Sequence, residues 1–173
     1  CLILERRKRY MEITIREMDE TDWKQVASIY QEGIATKKAT FQTEVPKYVD
    51  WDYSHLKAGR FVAVSNNDVV GWVALSPTSS RCVYRGVAEV SIYIAKKARG
   101  QHVGETLLNA LIKKSEEMGI WTLQSGIFEI NEASIQLHKK CGFRLLGIRE
   151  RIAQDVDGTW QNTVIMERRS QVI

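Results

Sequence analysis

The residues from 87 to 111, VAEVSIYIAKKARGQHVGETLLNAL, combine an acidic side chain with a glycine-containing turn. The first part is apolar and predicts a strand, and the last part has the spacing of an amphipathic helix. Backbone amides left uncovered by glycine at a helix N-terminus form a site for phosphate. Glu89 precedes this turn, where a carboxylate can accept a proton from a bound molecule. The stretch predicts binding of a pyrophosphate-bearing acyl carrier, with Glu89 handling a proton beside it.

Alternation along the predicted strand separates its side chains onto two faces. Glu89, Ser91 and Tyr93 are expected on one face, unless a bulge changes the register, and the residues between them face the opposite way. The structural alternative for Glu89 is an ion pair at the start of the strand, with Arg81 or Arg85.

The composition favours one globular domain. The chain has 173 residues, of which 44% are hydrophobic and 27% charged. The first ten residues contribute three of the four net positive charges, so the remainder is nearly neutral and gives little electrostatic support for nucleic-acid binding. We expect residues 1–10 to be a disordered extension and residues 11–173 to form the domain. A nucleic-acid or targeting arm at 6–9 is the alternative, and no apolar run approaches the roughly 18 residues that span a membrane.

The cysteine pattern argues against a disulfide framework and against a zinc site. Three cysteines occur, at 1, 82 and 141, and their number is odd and their spacing unlike that of metal ligands. This pattern predicts a reducing, cytoplasmic location and no bound metal. Cys141 precedes Gly142 and is expected to end a buried helix rather than act as a nucleophile.

Periodicity and turn residues predict the element order β-α-α-β-β-β-α-β-α-β-β, an α/β or α+β domain around one mixed sheet. Asn131 is the expected N-cap of the last helix, and Gly119 the stop of the helix before it. The predicted strands cover 12–16, 60–65, 69–75, 87–95, 121–128, 143–149 and 159–166.

The turn Arg99-Gly100-Gln101-His102-Val103-Gly104 resembles the signature Arg/Gln-x-x-Gly-x-Gly/Ala of the GNAT superfamily of acyl-CoA N-acyltransferases, with His102 in place of the middle glycine. Three further motifs resemble its phosphinothricin acetyltransferase branch: AEVSIYI at 88–94, Asn-x-x-Ser-Ile-x-Leu-His at 131–138, and Cys-Gly-Phe at 141–143. The resemblance runs from about residue 13 to residue 167.

This resemblance implies a GNAT-like mixed sheet, flanked by helices, whose central strands splay apart. It also implies acetyl-CoA as donor, a small amino acid analogue such as phosphinothricin, methionine sulfoximine or methionine sulfone as acceptor, and a homodimer. The alternative enzymatic activity is acetylation of protein N-termini or polyamines. The alternative non-enzymatic function is that of a CoA-binding sensor without catalysis.

The resemblance also assigns residues. Glu89 is expected to deprotonate the acceptor amine, and His138 to donate a proton or hydrogen bond, or to be a packed helix residue. Phe41, Arg81 and Tyr84 are expected, with Glu89, around the substrate, and Lys96 and Lys97 either add charge near the phosphates or are solvated. The cofactor-binding residues are expected to be Ile92, Tyr93, Ile94, Arg99, Gly100, Gln101, His102, Val103, Gly104, Glu105, Asn131 and Ser134.

Overall fold

The computed structural model describes residues 9–173, so the predicted extension lies mostly outside the described residues. The element order is the predicted one. The helices are α1 (Trp23–Ala35), α2 (Tyr48–Ser54), α3 (Val103–Glu117) and α4 (Glu132–Lys140). The strands are β1 (Thr14–Glu17), β2 (Phe61–Ser65), β3 (Asp68–Pro77), β4 (Val87–Ile94), β5 (Thr122–Phe128), β6 (Arg144–Gln154) and β7 (Trp160–Arg169).

All seven strands form one sheet in the order β1-β2-β3-β4-β5-β7-β6. Neighbouring strands are antiparallel except β4 and β5, which are parallel. The connection between β4 and β5 contains α3, as expected because parallel neighbours need a crossover. The predicted mixed sheet with flanking helices is confirmed.

The two parallel strands pair over only part of their length. Residues 87–89 of β4 pair with residues 122–124 of β5, although β4 runs to Ile94 and β5 to Phe128. The predicted splay of the central strands is therefore present in the middle of the sheet.

The helices cover both faces of the sheet, and β4 shows the predicted alternation. Tyr93 packs against both Trp72 of β3 and Tyr30 of α1, with ring centroids 5.0 and 4.8 Å away. Ile94 lies on the opposite face beside Leu107 of α3, in the space that Gly71 leaves open. A core of buried apolar side chains thus fixes the orientation of the strand that carries Glu89.

The predicted turn residues end their elements as expected. Gly119 follows α3 with a φ of 77°, and Asn66 and Asn67 join β2 to β3 with φ of 48° and 65°. Cys141 is the buried C-cap of α4, and burial raises the pKa of its thiol to about 11, so it is not a nucleophile at neutral pH. Within residues 9–173, no helix is long and apolar enough to cross a membrane, and no cluster of three or more potential metal ligands occurs.

Candidate active site

Glu89 lies where strands β4 and β5 separate. It pairs with Gln124 in the last β4–β5 residue pair. From Val90 to Ile94, β4 is hydrogen-bonded to β3 alone among the described strands. Backbone N–H and C=O groups on such an edge need other hydrogen-bond partners. The separation therefore leaves a row of free backbone groups that begins directly after Glu89.

A cavity of about 720 Å³ opens between the separated strands, and we call it the fork cavity. Of the residues predicted for catalysis or substrate binding, Phe41, Glu89 and His138 line it. Phe41 closes one side, because its ring packs 4.4 Å from the ring of Phe128 on β5. Further lining comes from the strands, including Gln124, Ser125, Gly126, Arg149, Ile152, Thr163 and Ile165.

A second depression of about 470 Å³, here called the turn groove, runs along the end of β4 and the glycine turn to α4. All but one of the predicted cofactor-binding residues line this groove. The exception is Gln101, whose side-chain Oε1 accepts a hydrogen bond from the Met11 amide at 3.0 Å. The groove and the fork cavity share Ala39, Ile92, Tyr93, Asn131 and Ser134, so they meet at the free edge of β4.

The turn before α3 uses two left-handed residues. Gly100 has a φ of 73° and His102, the N-cap of α3, a φ of 61°. Glycine is the usual residue in this conformation, which explains why the family signature has a glycine where this chain has His102. The His102 ring is half-exposed, packs 4.3 Å from the Tyr10 ring and lies 3.4 Å from a Glu105 carboxylate oxygen.

Glycine at position 104 is required by helix packing as well as by the predicted phosphate binding. A Cβ at this position would lie 3.0 Å from a methyl carbon of Leu137 on α4. The glycine therefore lets α3 and α4 approach closely, which keeps the walls of the turn groove narrow.

Positive charge at the groove comes from residues that the sequence did not single out. Lys38 and Lys140 line it together with the predicted Arg99. Neither Lys96 nor Lys97 does, and Lys97 instead lies 3.3 Å from the Asp68 carboxylate. Lys140 follows Leu137 by three residues on the same face of α4, so helical spacing was the available signal for it.

Asn131 caps α4 as predicted. Its Oδ1 accepts a hydrogen bond from the Ser134 amide at 3.3 Å. Because the side chain also lines both depressions, its amide nitrogen can still donate to a bound molecule.

His138 is buried and reaches the fork cavity through Ser125. Its Nδ1 lies 2.7 Å from the carbonyl oxygen of Ser134, which can only accept, so Nδ1 carries the proton. Nε2 is then the acceptor for the Ser125 hydroxyl at 2.9 Å. Burial lowers the pKa of His138, so the ring is neutral at physiological pH. Ser125 was not predicted from the sequence, because it lies on β5 whereas His138 lies on α4.

Arg81 and Tyr84 lie outside both depressions. Both are exposed in the loop before β4, where the Arg81 guanidinium packs 5.6 Å from the Tyr84 ring. Arg85 packs against Trp121 at 5.5 Å. Among residues 9–173, none forms a salt bridge with Glu89, so the structural alternative, an ion pair with Arg81 or Arg85, is not formed. Glu89 is exposed and lines the cavity instead.

Comparison with known proteins decides the family. Residues 23–143 match the model of the acetyltransferase (GNAT) family. The chain belongs to the GNAT family. It is therefore an acyl-CoA N-acetyltransferase, and the resemblance seen in its motifs is confirmed.

Relatives in the GNAT family include enzymes named for amino acid analogues. The chain is 32% identical over 168 residues to phosphinothricin N-acetyltransferase of Alcaligenes faecalis, covering 90% of this chain and 81% of the relative. It is 24% identical over 163 residues to L-methionine sulfoximine/L-methionine sulfone acetyltransferase of Pseudomonas aeruginosa, covering 91% of this chain and 94% of the relative.

Solved structures confirm the GNAT fold. A phosphinothricin acetyltransferase from Sinorhizobium meliloti in complex with acetyl-CoA superposes with a TM-score of 0.84 at 27% identity, covering 92% of this chain and 89% of that one. A ribosomal-protein-alanine N-acetyltransferase from Brucella melitensis gives a TM-score of 0.84 at 28% identity, covering 91% and 99%.

Proposed function

We propose that this GNAT enzyme transfers an acetyl group from acetyl-CoA to the primary amine of a small amino acid analogue. The observation that carries this proposal is the junction of the turn groove with the fork cavity at Glu89. One depression suits a long phosphorylated donor and the other a compact acceptor. A proton-accepting carboxylate faces the place where they meet.

The turn groove fits acetyl-CoA in its charge and its backbone. Pyrophosphate oxygens need several amide donors, which the residues before α3 and the first turn of that helix present. Lys38, Arg99 and Lys140 add positive charge around them. The space beside Gly100 is open to a phosphate, because no protein atom lies within 4 Å of where a Cβ at this position would be.

The free edge of β4 suits the pantetheine arm. Its two amides can pair with backbone groups of Ile92, Tyr93 and Ile94, as an added strand would. An amide of this segment would then also donate to the thioester oxygen as negative charge develops on it.

Glu89 supplies the first proton transfer. An amine is mostly protonated at neutral pH and needs to lose a proton before it attacks. Glu89 accepts that proton, directly or through water, and the neutral amine adds to the thioester carbon to give a tetrahedral intermediate. This is direct transfer from donor to acceptor.

Ser125 and His138 handle the second proton. As the nitrogen bonds to carbon, its second proton passes through the Ser125 oxygen to Nε2 of His138. The proton returns by the same path to the sulfur of CoA when the carbon–sulfur bond breaks. Burial favours this return, because it lowers the pKa of His138 and so makes the imidazolium a stronger acid.

Two alternatives make different demands on the fork cavity. A sensor without catalysis requires a blocked cavity or a Glu89 turned away, whereas Glu89 lines an open one. An enzyme for protein N-termini is favoured by the likeness to the ribosomal-protein-alanine acetyltransferase. It needs an acceptor path wide enough for a peptide.

Release of the CoA thiol in the presence of a panel of amines tests the proposal. The panel contains phosphinothricin, methionine sulfoximine, methionine sulfone, spermidine and a peptide with a free N-terminus. We expect saturable release with at least one amino acid analogue, at a higher kcat/KM than with spermidine or the peptide. Activity confined to the peptide or the polyamine would overturn the proposed acceptor class.

The homodimer and the cytoplasmic location stay predictions. The dimer is supported by the outer strand β6, which exposes Leu145, Leu146 and Ile148 at the edge of the sheet. Light scattering coupled to gel filtration would measure the mass, and a monomer at working concentration would contradict it.

A further inference from the structure

Arg149 is the only lysine or arginine that lines the fork cavity within residues 9–173. Its side chain forms no salt bridge with any of these residues, whereas Arg144 on the same strand is paired with Glu167 at 2.7 Å. An unpaired guanidinium beside a cavity can bind a carboxylate or a similar oxyanion through two parallel hydrogen bonds.

The register of the sheet places Arg149 on the cavity floor. Arg149 pairs with Thr163 of β7, and Thr163 pairs with Phe128 of β5. Directly opposed residues in antiparallel strands point to the same face, and all three of these residues line the cavity. Phe41 packs on Phe128, so the row of Phe128, Thr163 and Arg149 forms the end of the cavity next to the loop at 39–43.

A bulge in β6 sets the position of Arg149. Between the pairs Arg149–Thr163 and Ala153–Gln161, three β6 residues face the single β7 residue Asn162. Arg151, in the middle of the bulge, is left-handed with a φ of 47°, and its amide donates to Asn162 Oδ1 at 2.8 Å. Bulges of this kind re-aim side chains beside active sites. Here the bulge ends the regular pairing directly after Arg149.

Glu89 and Arg149 stand at opposite ends of the floor. Glu89 is level with Gln124 on β5 and Arg149 with Phe128, four residues further along. This corresponds to roughly 13 Å along the strands, and the three strand spacings from β4 to β6 add about 14 Å across the sheet, before the two side chains reach toward each other. The separation suits a small molecule with an amine at one end and an acidic group at the other.

We propose that Arg149 binds the acidic group of the acceptor and so selects amino acid analogues over simple amines. This inference rests on the proposed function and identifies a residue that the family motifs do not. The family resemblance placed Arg81 around the substrate, but Arg81 lies outside the cavity. The acid is either the α-carboxylate or, in phosphinothricin, the phosphinate.

The test compares Arg149→Gln, Arg149→Lys and Arg81→Gln, with Arg144→Gln as the control on the same strand. The acceptors are phosphinothricin, methionine sulfone and the methyl ester of methionine sulfone. In Arg149→Gln we expect KM for acids to rise about 10- to 100-fold, as for a lost hydrogen bond to a charged group. In Arg149→Gln, KM for the ester and KM for acetyl-CoA should be unchanged. Arg144→Gln should keep the wild-type KM for every substrate. Arg149→Lys should have a KM for acids between those of the wild type and Arg149→Gln.

The pattern of results separates the sources of the acid. If KM in Arg149→Gln rises for both phosphinothricin and methionine sulfone, Arg149 binds the carboxylate. If KM rises for phosphinothricin alone, Arg149 binds the phosphinate. An unchanged KM in Arg149→Gln, or a rise in Arg81→Gln instead, would overturn the role of Arg149 while leaving the proposed function intact. A wild-type enzyme that uses only amines without an acidic group would overturn both.

Discussion

The turn groove and the fork cavity meet at the free edge of β4 but are built from different parts of the chain. The groove is formed mainly by two continuous segments, 92–105 and 131–140, and offers backbone groups and helix N-termini. The cavity is lined by side chains from β4, β5, β6, β7, α4 and the loop at 39–43. Backbone recognition needs a conformation, whereas side-chain recognition needs particular residues in register.

This contrast explains where the chain tolerates change. His102 occupies a position that the family gives to glycine, yet its backbone keeps the left-handed conformation of the turn. A side chain on the cavity floor has no such freedom, because its own atoms make the contact. We therefore expect substitutions in the cavity to alter catalysis or acceptor binding, and substitutions in the groove turn to alter mostly stability.

The largest expected effect is at the fork itself. Glu89→Gln should lower kcat/KM by roughly a hundredfold or more, in the range for loss of a general base. Acetyl-CoA affinity, measured by calorimetry, should be unchanged because the groove is intact. Glu12→Gln, an exposed acid outside both depressions, is the control. A Glu89→Gln enzyme with the wild-type rate across pH would remove Glu89 from the mechanism.

Filling the cavity should separate acceptor binding from donor binding. A Cβ at Gly126 would contact only Ile165, at 3.9 Å, so Gly126→Val should project into the cavity without a backbone clash. We expect KM for the acceptor to rise by at least about tenfold, with KM for acetyl-CoA unchanged. Gly147→Ala, on β6 beside Ile165 and outside the cavity lining, is the matched control. Equal effects on both substrates would contradict the division into two compartments.

Removal of the Ser125 hydroxyl should slow the chemical step. Ser125→Ala is expected to lower kcat about tenfold, below the loss at Glu89 because water can replace part of the proton path. Both KM values should stay near wild type, and the pH dependence of kcat should lose the titration of His138. If kcat is unchanged, the Ser125–His138 pair has a structural role only.

The glycine turn should respond in stability rather than activity. His102→Gly removes a left-handed non-glycine residue and should stabilise the fold by about 1 kcal/mol. Gly100→Ala puts a non-glycine residue in the left-handed conformation, at a φ of 73°, and should destabilise the fold by a similar amount. Urea unfolding measures both, and a His102→Gly protein that binds acetyl-CoA much more tightly would show that the histidine hinders phosphate approach.

A pH dependence of stability, without effect on the site at neutral pH, is the last prediction. Burial lowers the pKa of both His138 and His55, whereas in the unfolded chain each titrates near about 6.5. The unfolded state therefore binds more protons below about pH 6.5, so stability is fully present above that pH and is lost as pH falls. Each histidine contributes a slope of at most about 1.4 kcal/mol per pH unit. Urea unfolding at several pH values measures it, and a stability that rises on acidification would contradict both assignments.

The sequence predicted what depends on neighbouring residues. Element order, the Asn131 cap, the Gly119 stop and the alternation along β4 follow from local conformational preferences. Their agreement with the structure reflects that local character.

The contents of the cavity were not predictable in the same way. Ser125 reaches His138 from another element, and Arg149 reaches the cavity only because β7 lies between β5 and β6. Both depend on the register of strands distant in sequence, which periodicity does not specify. The predicted Arg81 and Tyr84 were chosen from their loop, and that loop does not line the cavity.

A quenched single turnover with radiolabelled acetyl-CoA tests the central claim most directly. Enzyme in excess over acetyl-CoA is mixed with an amino acid analogue, and the protein and small-molecule fractions are counted. Direct transfer at the fork predicts that label appears on the amine of the analogue and that none is bound to the protein, with or without acceptor. Label retained on the protein, for example on Ser125, or no label on the analogue, would contradict the account.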